Sequence, residues 1–266
     1  MGDIMYKKGD LVTRSSYNND TVFTIIEIDE DEDVYYLKGV HVRLYADANY
    51  NDLERYKEQE KNDEEKEIIS RIKKELNLER DDYFYLPGKI LHIDGDRDYM
   101  EKCLTYYKKV GLMAIGKVEK EDVVPEKICQ WINEYKPSIV VITGHDAYYK
   151  RKGKQTDLEA YRNSNNFIES IKAARSLEMS HEKLIIIAGA CQSNYEELIK
   201  AGANFASSPK RINIHALDPA IIASLMALAD CNREIDIKKI LESTTKGSNG
   251  MGGIKTKGTM YIGYPR

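Results

Sequence analysis

No apolar run in this chain approaches the ~20 residues that a bilayer-spanning helix needs. Runs such as Leu184 to Ile187 cover only a few positions. Cysteine is sparse. Cys103, Cys129, Cys191 and Cys231 form no Cys-x-x-Cys pair, and the five histidines are scattered. A structural zinc site needs clustered ligands, so none is expected, nor is a metal or an organic cofactor. A disulfide framework is not expected either. An excess of positive charge is also lacking: 40 Lys and Arg against 44 Asp and Glu leave a net charge of -4 and a pI near 5.9. That argues against nucleic acid as a partner. The opening Met1–Lys8 lacks the apolar centre of a signal peptide, so the expected compartment is the cytoplasm, with no membrane partner.

With 266 residues, 42% hydrophobic and 32% charged, the chain suits one large globular domain or two modest ones. Residues 1–48 read as a small β module. Val12 to Arg14, Thr21 to Ile28, Val34 to Gly39 and His41 to Tyr45 are rich in Val, Ile, Thr and Tyr, with turn residues between them. The opening Lys8-Gly-Asp-Leu-Val12 suits an SH3-like barrel, a structural or docking appendage. Residues 49–82 are mostly charged and read as a helical linker, with Ile68, Ile69, Ile72 and Leu76 forming one apolar stripe.

From residue 83 the pattern alternates strand and helix, an α/β fold with a mainly parallel sheet over residues 83–266. Strands are expected over Gly88 to Ile93, Leu112 to Val118, Ile139 to Thr143, Leu184 to Ile187 and Ala203 to Ala206. Helices are expected near 98–110, 123–135, 167–177, 195–201, 220–229 and 235–242. Gly247 to Gly253 reads as a loop and Thr259 to Ile262 as a last strand. A long polar segment, Asp146 to Asn166, reads as a flap or an insertion.

Two stretches carry chemistry. Ser138-Ile-Val-Val-Ile-Thr-Gly-His145-Asp146 and Leu184-Ile-Ile-Ile-Ala-Gly-Ala-Cys191-Gln-Ser-Asn194 each run a buried strand into a polar turn. Ligands of parallel sheets bind beyond the carboxyl ends of strands. If the strands are neighbours, a thiol and an imidazole share one rim. Such a pair can attack an acyl carbon, with the amides of Cys191 and Asp146 as oxyanion donors.

An apolar strand ending in His and the next ending in Ala-Cys resembles the caspase-like cysteine peptidases, which include legumain, clostripain and gingipain. In that clan the His–Cys dyad lies on the third and fourth strands, and a Gly follows the His; here that residue is Asp146. Across the whole chain, Lys8-Gly-Asp-Leu-Val, Leu37-Lys-Gly-Val-His-Val-Arg-Leu-Tyr-Ala-Asp, Leu91-His-Ile-Asp-Gly-Asp, Thr143-Gly-His-Asp and Ala188-Gly-Ala-Cys-Gln-Ser resemble a family of sporulation-specific proteases from spore-forming Firmicutes. The resemblance implies an endopeptidase cleaving after basic residues, Arg above all. It implies spore coat and germination-related proteins as substrates, and a place in the mother-cell cytoplasm or at the spore coat.

A basic P1 side chain needs a carboxylate in its pocket, because an unpaired guanidinium is costly to desolvate. Asp94, Asp96 and Asp218 are the candidates, and Asp146 is a candidate for positioning His145. Arg151, Arg162 and Arg211 are candidate sites of self-cleavage. Two other readings are open. A glutamine amidotransferase would need Gly two residues after the nucleophile, where Ser193 stands. A non-enzymatic receiver-like scaffold, binding a partner through the β module, would use Asp94 and Asp96.

Overall fold

The structure is a computed structural model that describes residues 6–30, 32–56, 70 and 83–264. The chain divides into two compact units, Met1–Asp63 and Glu64–Arg266.

The first unit is a five-stranded antiparallel sheet: β1 (Leu11–Arg14), β2 (Phe23–Asp29), β3 (Val34–Gly39), β4 (Tyr45–Asn49) and β5 (Leu53–Arg55), in the order β4-β3-β2-β1-β5. Alternation sends Val12, Phe23, Ile25, Tyr35, Leu37, Ala48 and Leu53 into one core. The sheet is open, not the expected closed barrel. Two expectations shift with it. The strand read at His41 to Tyr45 begins at Tyr45, because the chain turns first: the Gly39 amide donates to the Leu44 carbonyl at 2.7 Å. The start of the charged segment is sheet rather than helix, since Leu53 is buried and β5 pairs with β1. The Ile68–Leu76 stripe lies outside the described residues.

The second unit holds a six-stranded sheet in the order β12-β11-β10-β9-β7-β8. Its strands are β7 (Ile90–Asp94), β8 (Ala114–Val118), β9 (Ile139–Thr143), β10 (Ile185–Ala188), β11 (Phe205–Ser207) and β12 (Met251–Gly253). All neighbours run parallel except β12, which is antiparallel to β11. The helices are α1 (Arg97–Val110), α2 (Val124–Tyr135), α3 (Ser164–Leu177), α4 (Tyr195–Lys200), α5 (Asp218–Leu228) and α6 (Ile237–Glu242). β12 falls in the stretch read as a loop; with two glycines in three residues it carries no apolar period. The last strand, β13 (Tyr261–Gly263), pairs with β6 (Phe84–Leu86) in a separate ribbon rather than joining the main sheet.

The sheet faces differ in chemistry. Leu91, Ile93, Val140, Ile142, Ile186 and Ala188 pack with Ile128, Trp131, Phe167, Ile168 and Ile171 of α2 and α3 in one core. The alternate residues of β7 and β9 point to the other face, where α1 and α5 pack. All eleven residues of α5 are buried, which explains why its sequence is apolar all round. On that same face lie His92, Asp94 and Thr143, all buried.

Candidate active site

β9 and β10 are parallel neighbours, with Ala188 opposite Ile142. His145 and Cys191 therefore each follow a paired position by three residues, beyond the carboxyl ends of the two strands.

His145 is held on every side. Its amide donates to Glu121 Oε1 at 2.7 Å, and its carbonyl accepts from Asn163 Nδ2 at 2.7 Å. Its Nε2 lies 3.2 Å from Asp96 Oδ2. The buried Tyr99 ring of α1 meets the imidazole edge-on, with centroids 6.0 Å apart. Glu121, which sequence reasoning missed inside the charged stretch Glu119 to Asp122, reaches His145 only because two strand-end residues lack a side chain. A Cβ on Gly95 would stand 2.4 Å, and one on Gly144 2.3 Å, from Glu121 Oε1.

Cys191 is fully buried. Its thiol is directed at the Ile214 carbonyl, 3.8 Å away, and the next amide, of Gln192, donates to the Ile212 carbonyl at 3.2 Å. The turn that delivers it needs glycine: Gly189 has φ +105, and a Cβ there would meet Ser207 Oγ at 2.3 Å. Ser193 Oγ accepts from the Ala190 amide at 2.9 Å. The helix expected directly after the cysteine starts at Tyr195, with Asn194 as its cap.

Asp146 does not reach for His145. Its carboxylate accepts from Ser164 Oγ at 2.5 Å, Ser193 Oγ at 2.8 Å and the amides of Asn163 at 2.8 Å and Ala147 at 2.9 Å. It ties the loop after β9 to the loop after β10 and to the start of α3. Burial pushes its carboxyl above the usual range, against the pull of those donors. The carboxylate beside His145 Nε2 is that of Asp96, not of Asp146.

The candidate pocket carboxylates are all at this rim or near it. Asp94 is fully buried and accepts from Thr143 Oγ1 at 2.7 Å and the Asp96 amide at 2.9 Å. Asp96 caps α1 through the Asp98 amide at 3.0 Å. Asp218 is fully buried at the start of α5 and accepts from the amides of His215 at 3.1 Å and Thr245 at 2.9 Å. Glu121 is a partly exposed carboxylate at the same rim.

The segment Asp146 to Asn166 is folded on itself. Tyr148 and Tyr161 form a bridge, Tyr148 Oη donates to the Gly153 carbonyl at 2.9 Å, and Tyr161 Oη to that of Gln155 at 2.8 Å. Arg151 and Arg162 are exposed on it. Arg211 differs: its guanidinium donates to Tyr161 Oη at 2.6 Å, to Asn194 Oδ1 at 3.4 Å and to Glu196. Among the described residues no group of three or more His, Cys, Asp or Glu could hold a metal ion, and no helix is long and apolar enough to cross a membrane.

Comparison with known proteins adds two findings. The family model described as YabG peptidase U57 matches residues 7–265. The sporulation-specific protease YabG of Bacillus subtilis (strain 168) is 40% identical over 286 aligned positions, covering 98% of this chain and 99% of the relative.

Proposed function

The chain belongs to the YabG peptidase U57 family and is a sporulation protease, and from that premise we propose that it is a cysteine endopeptidase whose nucleophile is Cys191 and whose general base is His145. Family membership leaves no support for the scaffold reading. The observation that supports the proposal is the parallel pairing of β9 and β10, with each of the two residues three positions beyond the Ile142–Ala188 pair.

The Cys191 thiol gives its proton to His145, and sulfur attacks the scissile carbonyl carbon. Backbone amides of Cys191 and Asp146 receive the oxyanion. The leaving amine takes the proton from His145, and water then releases the acyl group. Cys191 is covered by the segment from Ile212 to His215, so the substrate reaches sulfur once that segment shifts. A caspase-like arrangement fits the mainly parallel sheet. The remaining elements of the proposal are an N-terminal module extended from 1–48 to take in β5, a linker in the rest of 49–82 and a peptidase domain at 83–266.

The preferred P1 residue is Arg. Asp94 and Asp218 spend both carboxylate oxygens on bonds within the chain. Asp96 lies on the surface side of that pair. Glu121 joins the candidates: its Oε1 holds the His145 amide, and Oε2 accepts no hydrogen bond among the described residues. Spore coat and germination-related proteins are the proposed substrates, and the mother-cell cytoplasm or the spore coat is the proposed location. The Arg151 and Arg162 side chains are exposed for self-cleavage, though the Arg162 amide must first leave the Ala147 carbonyl, and at Arg211 the guanidinium clamp must open.

Fluorogenic peptides differing only at P1 test the reading, with wild type beside Cys191→Ala. Cleavage that depends on Arg and vanishes in the variant supports it. Equal cleavage by both proteins removes Cys191 as nucleophile.

A further inference from the structure

A run of buried polar groups leads from the interior of the second unit to the His145 ring, and its donors all point one way. Tyr107 Oη lies 2.9 Å from His92 Nδ1. His92 Nε2 lies 2.9 Å from Thr143 Oγ1, and Thr143 Oγ1 donates to Asp94 Oδ2 at 2.7 Å. With the threonine proton assigned to the carboxylate at 2.7 Å rather than to the Ile93 carbonyl at 3.4 Å, Thr143 accepts from His92. His92 thus carries its proton on Nε2, and Nδ1 accepts the tyrosine proton. Every donor therefore points toward the Asp94 carboxylate. That carboxylate in turn receives the Asp96 amide at 2.9 Å on its other oxygen. Asp94 and His92 are fully buried, so the ordered donors supply what water would otherwise supply to the charge.

The consequence reaches Asp96. Its amide is fixed by Asp94, and its Oδ1 caps α1 through the Asp98 amide at 3.0 Å. The remaining oxygen, Oδ2, stands 3.2 Å from His145 Nε2. A carboxylate there keeps a proton on Nε2, which leaves Nδ1 as the nitrogen that accepts a proton.

Resting on the dyad reading above, we propose that Asp96 is the positioning residue of this peptidase: it holds His145 through Nε2, so that Nδ1 takes the Cys191 proton and later delivers it to the leaving amine. The proton leaves sulfur for Nδ1 as the S–C bond forms, and passes from Nδ1 to nitrogen as the C–N bond breaks. The Nε2 proton stays in place, and Asp96 remains ionised throughout. The chain from Tyr107 to Asp94 keeps the Asp96 backbone at the distance this requires. In this assignment Asp96 acts through His145 and does not bind the P1 side chain.

The test uses the full-length protein carrying Asp96→Asn or Asp96→Ser. Both side chains are good helix caps, so α1 keeps its start; Asn removes the charge, and Ser is too short to reach His145. The substrates are matched peptides with Arg or with uncharged citrulline at P1. Titratable groups packed against His145 include Asp96 from the loop after β7, Tyr99 from α1 and Glu121 from the loop after β8. In both variants kcat is expected to fall roughly 10²-fold or more, by the same factor for Arg and citrulline, with KM little changed. Loss confined to the Arg peptide, seen as a rise in its KM, overturns the proposal in favour of a pocket role. Unchanged kcat in both variants reduces Asp96 to a helix cap. If Cys191→Ala itself stays active, the dyad reading fails, an outcome distinct from failure of Asp96 alone.

Discussion

Asp52 in the N-terminal sheet and Asp146 at the rim of the parallel sheet are both aspartates held by several donors, yet their carboxyls move in opposite directions. Asp52 accepts from the Ser16 amide and hydroxyl, each at 2.7 Å, and from Arg14 Nε at 2.8 Å. It stays in touch with water, and the Ser16 hydroxyl, the Ser16 amide and Arg14 lower its pKa to about 2. Asp146 accepts from four uncharged donors and is almost fully buried; desolvation outweighs the donors and raises its pKa. The comparison teaches that hydrogen bonds alone do not set the charge state: access to solvent decides which term wins. It also separates a surface fastening from an interior one, and the interior one links the loops that carry His145 and Cys191.

The largest expected effect separates the units by function. Cys191→Ala should lower kcat/KM by about 10³-fold or more, whereas Asp52→Asn should leave peptide cleavage unchanged. Cleavage assays on both variants check this, and an equal loss would join what the comparison separates.

Stability comes next. Asp146→Ala leaves the hydroxyls of Ser164 and Ser193 and two amides without their acceptor, and should destabilise the second unit by about 3 kcal/mol. Urea titration followed by the fluorescence of Trp131, the sole tryptophan, reads that unit. Asp52→Ala should cost about 1 kcal/mol or less in the first unit, as surface ion pairs do; hydrogen exchange of β1 and β5 measures it.

The pH dependence of the two should have opposite sign. The raised Asp146 value means that its titration supports folding most below the ordinary aspartate range, and that this support is lost as pH rises through the folded value. The lowered Asp52 value means support above the ordinary range, lost as pH falls toward about 2. Asp146→Asn and Asp52→Asn should each flatten the corresponding slope, followed by Trp131 fluorescence and by hydrogen exchange. Parallel slopes would break the comparison.

The smallest effect is the most local. In Gly144→Ala the new methyl group pushes aside the end of a flexible side chain, Glu121, rather than backbone. Peptide turnover should fall by up to about tenfold while the melting temperature moves little. A large loss of stability with intact turnover would mean that Glu121 serves the fold and not the His145 loop.

Much of the second unit was legible in the sequence because its strands are short apolar runs bounded by small residues. Ile139 to Thr143 emerged with the bounds expected, and Ile185–Ala188 shifted by one residue. The strand ends at His145 and Cys191 were legible for the same reason. β12 and β6 were not, since one is two-thirds glycine and the other forms part of a small ribbon with no buried face to impose alternation. In the first unit the antiparallel strands were readable, but their failure to close into a barrel was not, because closure depends on how the edge strands meet.

The sequence by itself determined which residues were chemically capable: a thiol and an imidazole at strand ends, and carboxylates after the first strand of the parallel sheet. Only the tertiary structure decided what each one touches. Asp96 and His145 stand 49 positions apart, and Asp146 and Ser193 stand 47 apart. Local pattern carries no information about such pairs. It was the parallel pairing of β7, β9 and β10 that brought Asp96 to His145. It also sent Asp146, the immediate neighbour of His145, away toward Ser164 and Ser193, because successive residues leaving a strand point in opposite directions.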